Sequence, residues 1–220
     1  MKTIPQTKPQ NLTQQLFDER VAKYNIDRNK YPIVLLGLRN YYDEAVGGAQ
    51  FDRNFYDDAF ALSMHHKDGR KQFLVFNGNT DPSIYRKPTA KQKGVASLVE
   101  GVYYAHKLDF HKGKYLALCQ LAGMVKVLRD GGLTETGHFG VNIHSGGLNG
   151  TWSLGCQTFT PSQFIEFMGA ILAYFGLDVT KLFKDYFKPT QAEIKAFTEY
   201  LIKNRLVAGF TFCYVLDNFK

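Results

Sequence analysis

Phe139-Gly140-Val141-Asn142-Ile143-His144-Ser145-Gly146-Gly147-Leu148-Asn149-Gly150-Thr151-Trp152-Ser153-Leu154-Gly155-Cys156-Gln157-Thr158 opens as a strand and then stops being one. Val141 and Ile143 are β-branched and alternate with Asn142 and His144, the pattern of a half-buried strand. The first pair faces one side of the sheet and the second pair the other. Gly146, Gly147, Gly150 and Gly155 then release the backbone into a loop. A His at a strand end and a Cys after a glycine loop can meet in space. That is the minimum for thiol chemistry, since the imidazole takes the thiol proton and holds the thiolate as an ion pair. Gly155 lets a substrate carbonyl approach the backbone closely, and amides around Cys156 offer an oxyanion hole.

Upstream of this stretch the chain is β-rich. Residues 59–65 and 71–77 form a hairpin across the Asp68-Gly69 turn, and residues 78–83 are turn chemistry throughout. Residues 101–106 make a further strand. Residues 114–119 and 123–128 read as an antiparallel pair, closed by a second Asp-Gly turn at Asp130-Gly131. Nearer the N-terminus, residues 1–10 are polar with two prolines and read as disordered, and 43–48 read as loop. Leu12, Leu16, Phe17, Val21 and Tyr24 form the apolar stripe of a helix, and residues 32–36 a short buried strand or helix start.

Downstream the chain turns helical. Thr160-Pro161-Ser162-Gln163 and Thr190-Gln191-Ala192-Glu193 are helix starts with capping residues, and 207–216 is a last strand. The fold class expected is α+β: an antiparallel β-rich sandwich or barrel core with an N-terminal helix and C-terminal helices. Residues 1–30 are the tail and first helix, and 31–220 the domain that carries the site.

The 220 residues are ordinary for one globular domain, with 45% hydrophobic and 21% charged. Aromatics are abundant, with 18 Phe and 13 Tyr, which suits a β-rich core. The net charge of +7 and the pI of about 9.2 imply an acidic partner. The cations are scattered without a block of five, so nucleic acid is not expected. Three cysteines cannot all pair. Cys119 and Cys213 sit in apolar runs and read as buried, inert thiols. The first ten residues lack the apolar core of a signal peptide, and no run approaches membrane-spanning length. The expectation is a soluble protein made in the cytoplasm; an outside target requires another means of delivery.

His144 precedes Cys156 by 12 residues, the reverse of the papain-type and NlpC/P60-type order. Ile143-His144-Ser145-Gly146 followed by Ser153-Leu154-Gly155-Cys156 resembles the signature of the L,D-transpeptidase (YkuD-like) family. The motif spans residues 139–158. Residues 76–83 and 125–131 resemble flanking segments of phage and bacterial proteins that carry such a domain. The resemblance implies a β-rich YkuD-like fold, a Cys156 acyl-enzyme with His144 as base, and no cofactor. It implies action on the tetrapeptide stems of peptidoglycan as L,D-transpeptidase, L,D-carboxypeptidase or amino-acid exchange enzyme. Compact versions occur among toxins delivered against rival bacteria, which a basic, signal-less chain suits; an immunity protein or delivery machinery would then be a partner. A phage wall enzyme fits as well. Three features depart from the family. Leu154 stands where its second His would be, Thr158 stands where an Arg would grip the substrate carboxylate, and the loop is a few residues shorter.

Each site residue has a structural alternative. Cys156 is otherwise a core thiol and His144 a satisfied strand-end His. His138 is the second-choice base. Ser153 shapes the loop by bonding nearby backbone, or touches substrate together with Ser145, Gly146 and Gly155. Trp152 stacks on a sugar or pins the loop. His138, His144 and Cys156 fit no standard zinc spacing, so no metal is expected. The pair His65-His66 reads as solvated. The alternative function is a cell-wall-binding or virion structural module with a degenerate site.

Overall fold

The computed structural model describes residues 7–42 and 53–219. In chain order the elements are α1 (Gln14–Ala22), β1 (Ile33–Arg39), β2 (Asp58–His65), β3 (Lys71–Asn79), β4 (Ala96–Leu98), β5 (Gly101–His111), β6 (Tyr115–Gln120), β7 (Val125–Arg129) and β8 (Thr134–Gly137). They continue with β9 (Ile143–Ser145), β10 (Gln157–Phe159), α2 (Pro161–Tyr174), α3 (Val179–Leu182), α4 (Gln191–Lys203), α5 (Arg205–Ala208) and β11 (Phe212–Asn218). Residues 1–6 of the polar N-terminal stretch and the loop expected at 43–48 lie outside the described residues.

The class is α+β. Eight strands close into a barrel in the order β1-β11-β5-β6-β9-β10-β3-β2, and β4, β7 and β8 form a separate three-stranded sheet. Period-2 alternation explains how β1 serves two layers. Ile33 and Leu35 join the main core cluster, while Val34, Leu36 and Leu38 point the other way and pack with Phe17 and Val21 of α1. β11 does the same, with Tyr214 and Leu216 in the main cluster and Cys213 and Val215 under α1. The apolar face of α2 (Phe164, Phe167, Met168, Ile171 and Leu172) enters the main cluster. At its centre Phe159 stacks on Phe60 at 4.3 Å and on Phe167 at 4.5 Å. Gly78 makes room for this stack, because a Cβ there would collide with the Phe60 ring.

Four expectations need correction. The barrel is not purely antiparallel, since β1 with β11 and β9 with β10 are parallel. Parallel neighbours need a crossover of about a dozen residues or more, and the glycine loop of residues 146–156 is that crossover. β6 does not pair with β7. It lies between β5 and β9, while β7 pairs with β4 and β8. β5 runs on to His111 and turns directly into β6 through Lys112 and Gly113, both at positive φ. The last strand begins at Phe212, and residues 205–208 are the short helix α5.

Both expected helix starts are present, with one difference. At α4 Thr190 and Glu193 form a full capping box. At α2 the Thr160 side chain makes no cap bond, and Gln163 Oε1 instead accepts the Asn77 N–H at 2.7 Å, tying the helix to β3.

Candidate active site

β9 is only three residues long, held by Leu118 of β6 on one side and by β10 on the other. Ile143 belongs to the main core. In the β9–β10 register Thr158 lies opposite His144, and Gln157 N donates to Asn142 O at 2.8 Å. Cys156 therefore falls beside Asn142, two positions before His144 on the same face, a diagonal of roughly 8 Å between Cα positions. Among the described residues no hydrogen bond joins the thiol to the imidazole: Sγ bonds toward residues 140 and 142, and His144 Nδ1 toward Ser145.

Asn142 is the hub of the cluster. Its backbone N–H donates to Cys156 Sγ at 3.4 Å. Its Oδ1 accepts the Gln120 backbone N–H at 2.8 Å, which fixes the orientation of the amide. Its Nδ2 therefore points at His111 Nδ1, 3.1 Å away. The His111 ring stacks on His144 at 4.2 Å and 20°. His144 Nδ1 lies 2.7 Å from the Ser145 carbonyl, which can only accept, so Nδ1 carries the proton and Nε2 keeps its lone pair. Tyr115 OH also donates to Ser145 O, at 3.3 Å. The thiol itself donates to Gly140 O at 3.3 Å.

The glycine loop is held by three residues that were not anticipated. Tyr56 OH donates to Gly147 O at 2.7 Å, Asn54 Oδ1 accepts Thr151 N–H at 2.8 Å, and Ser83 Oγ accepts Ser153 N–H at 2.5 Å. Ser153 Oγ donates to Cys156 O at 2.6 Å and accepts the Gly155 N–H at 3.0 Å. The Gly155 amide is thus spent on Ser153 and is not a free oxyanion donor. Cys156 N–H has no partner among the described residues. Gly155 sits at φ +136°, and a Cβ there would come within 2.6 Å of Ala96 O, so this turn into Cys156 requires glycine.

Ser145 is buried, with Oγ donating to Gly146 O. Gly146 N–H donates to Phe159 O at 2.8 Å, which ties the loop to β10. The Trp152 ring lies over Gly147 yet is 71% exposed, and Leu148 and Leu154 are exposed as well. His138 is exposed in the segment between β8 and β9. His111, Tyr115, Asn142 and Gln120 join the site without having been singled out. The alternation Lys107, Asp109, His111 against Leu108, Phe110 was the available signal for the first of them.

The electrostatics correct one expectation. Burial pushes the Cys156 thiol up, against the Asn142 N–H and the Lys112 charge, which lower it. Burial, together with the neighbouring His111 ring, brings His144 down to about 3. Both shifts favour the uncharged form, of the thiol and of the imidazole, over an ion pair. Cys119 and Cys213 are buried and pushed up to about 12. Thr158, opposite His144, and Asn79, opposite Thr158 on the next strand, have fully buried side chains, and Asn79 Nδ2, Asn79 Oδ1 and Thr158 Oγ1 lack partners among the described residues.

No group of three or more His, Cys, Asp or Glu among the described residues could hold a metal ion. No described helix is long and apolar enough to cross a membrane. A cavity of about 550 Å³ lined by Lys30, His66, Tyr174 and Phe210 contains none of the site residues. His66, expected in solvent, packs there against the Tyr174 ring at 4.9 Å. Comparison of the chain with models of protein families, with curated proteins and with solved structures finds no match.

Proposed function

We propose that this protein is a cysteine acyltransferase or peptidase of L,D-transpeptidase type, acting on the tetrapeptide stems of peptidoglycan. The observation that carries the proposal is the His144 Nδ1 bond to Ser145 O at 2.7 Å. It leaves the Nε2 lone pair as a base on the face that Cys156 shares. Since burial favours the uncharged form of both groups, proton transfer accompanies attack instead of preceding it. Rotation about the Cys156 Cα–Cβ bond takes Sγ off Gly140 O, and His144 Nε2 takes the S–H proton. Sulfur bonds to the stem carbonyl carbon, and the Cys156 N–H and the Asn142 N–H stabilise the oxyanion and the sulfur respectively. The C–N bond breaks, and the amine leaves with the proton from His144. Water or a second amine then takes the acyl group by the reverse steps.

The stem-peptide class rests on the motif resemblance, and the basic surface suits an anionic wall. Thr158 stands in place of the family's Arg and its side chain is fully buried, so recognition of a substrate carboxylate falls to other groups. Delivery as an antibacterial effector or use as a phage wall enzyme belongs to the same proposal. The thiol bond to Gly140 O favours the second reading, a wall-binding module with an idle thiol. Turnover of disaccharide-tetrapeptide muropeptides, read by mass spectrometry, separates the two. His144→Ala abolishes turnover and His138→Ala leaves most of it, since loss of one member of such a unit costs orders of magnitude. Equal activity of wild type and His144→Ala would sink the mechanism.

A further inference from the structure

The oxyanion of the proposed reaction has one free amide, that of Cys156, because the Gly155 N–H is bonded to Ser153 Oγ. A second donor can come from a side chain, and the fold brings one from the end of β5. Resting on the reading above, we infer that His111 is a catalytic hydrogen-bond donor: a neutral imidazole whose Nε2–H binds the acyl oxygen while His144 Nε2 takes the thiol proton.

Donor and acceptor pairing fixes the tautomers of both rings. Gln120 N–H must donate, so the atom of Asn142 that it meets is Oδ1, and the amide nitrogen faces His111. An NH₂ group only donates, so His111 Nδ1 is the acceptor and its single proton sits on Nε2. In His144 the Ser145 carbonyl demands the opposite tautomer. The two rings are stacked at 4.2 Å, so the cluster holds one ring with a free N–H and one with a free lone pair. His111 Nε2 has no partner among the described residues. Burial and the charges of Lys112 and Lys114 bring His111 down to about 4, which favours the neutral ring near pH 7. A neutral imidazole polarises a carbonyl without itself losing a proton, and no bond to His111 forms or breaks.

The test has two arms, both on the full chain. Long-range ¹H–¹⁵N NMR of the imidazoles reads the tautomers directly. Expected are Nε2–H for His111 and Nδ1–H for His144; Nδ1–H for His111 overturns the inference. In the second arm His111→Phe keeps a ring on His144 and removes the donor. Muropeptide turnover falls about 100- to 1000-fold, the usual effect of removing one oxyanion donor. Alkylation of Cys156 by iodoacetamide needs no oxyanion and stays at the wild-type rate. His111→Gln, which retains an N–H, recovers part of the turnover. Turnover unchanged in His111→Phe overturns the role, and so does equal loss of turnover and alkylation, which marks a packing residue. Absence of turnover by the wild type sinks the reaction and this role together, whereas wild-type turnover with an unimpaired His111→Phe sinks His111 alone.

Discussion

His106 sets a measurable pH dependence of stability. It is fully buried on β5, bonded through Nε2 to Val141 O at 2.9 Å, and its Nδ1 has no partner among the described residues. Burial lowers it from the ordinary 6.5 to about 4. The folded value lies below the unfolded one, so the unfolded chain binds the proton first. Stability is therefore present above pH 6.5 and drains as pH falls toward 4, with nothing further lost below that. Between pH 7 and 4.5 these two values give a loss of roughly 2 kcal/mol from this one residue. His106→Gln keeps a donor for Val141 O and removes the titration. Urea denaturation followed by circular dichroism at pH 7, 6, 5 and 4.5 then gives two curves of unfolding free energy. The wild-type curve falls more steeply, by roughly 2 kcal/mol over the range. Parallel curves would show that His106 is not held neutral, and would remove the burial argument on which the His144 and His111 assignments also lean.

Iodoacetamide near pH 8 alkylates Cys156 well ahead of the buried Cys119 and Cys213, and the rate climbs further into the alkaline range because the thiol is raised; a plateau already at pH 7 would restore the ion-pair picture. Gln120→Leu strips the partners from Phe139 N, Val141 N, Gly123 O and Gly137 O and costs about 3–5 kcal/mol in urea denaturation, where a loss below 1 would mean the segment is held elsewhere. Removing residues 190–220 takes β11 out from between β1 and β5 and uncovers Phe183 and Phe110, which pack on Phe197, so the truncated chain comes out insoluble; a soluble, folded product contradicts the barrel closure.

What the sequence made legible was local. Asp68-Gly69 marks the β2–β3 hairpin and Thr190 to Glu193 marks its helix by a capping box, while the turn at Asp130-Gly131 was legible but the strand it leads to, β8, was not. Alternation around Ile143 placed Asn142 and His144 on one face, which the β9–β10 register matches. What was hidden came through space. Gln120 lies at a strand end with no pattern around it, yet its side chain binds four backbone groups between residues 123 and 141. Tyr56, Asn54 and Ser83 hold the glycine loop across more than 60 residues of chain. The pairing of β6 was missed because two adjacent strands suggest a hairpin, while the real hairpin partner, β5, extended five residues beyond where its apolar run ended.

The central claim is that Cys156 carries the acyl group of a stem peptide. Intact-protein mass spectrometry after rapid quenching with a disaccharide-tetrapeptide tests it most directly, with peptide mapping to locate the adduct. The account predicts an acyl adduct on the peptide holding Cys156, absent from Cys156→Ala. In His144→Ala it forms far more slowly. Product formation by the wild type with no adduct at any quench time, or by Cys156→Ala at the wild-type rate, would contradict it.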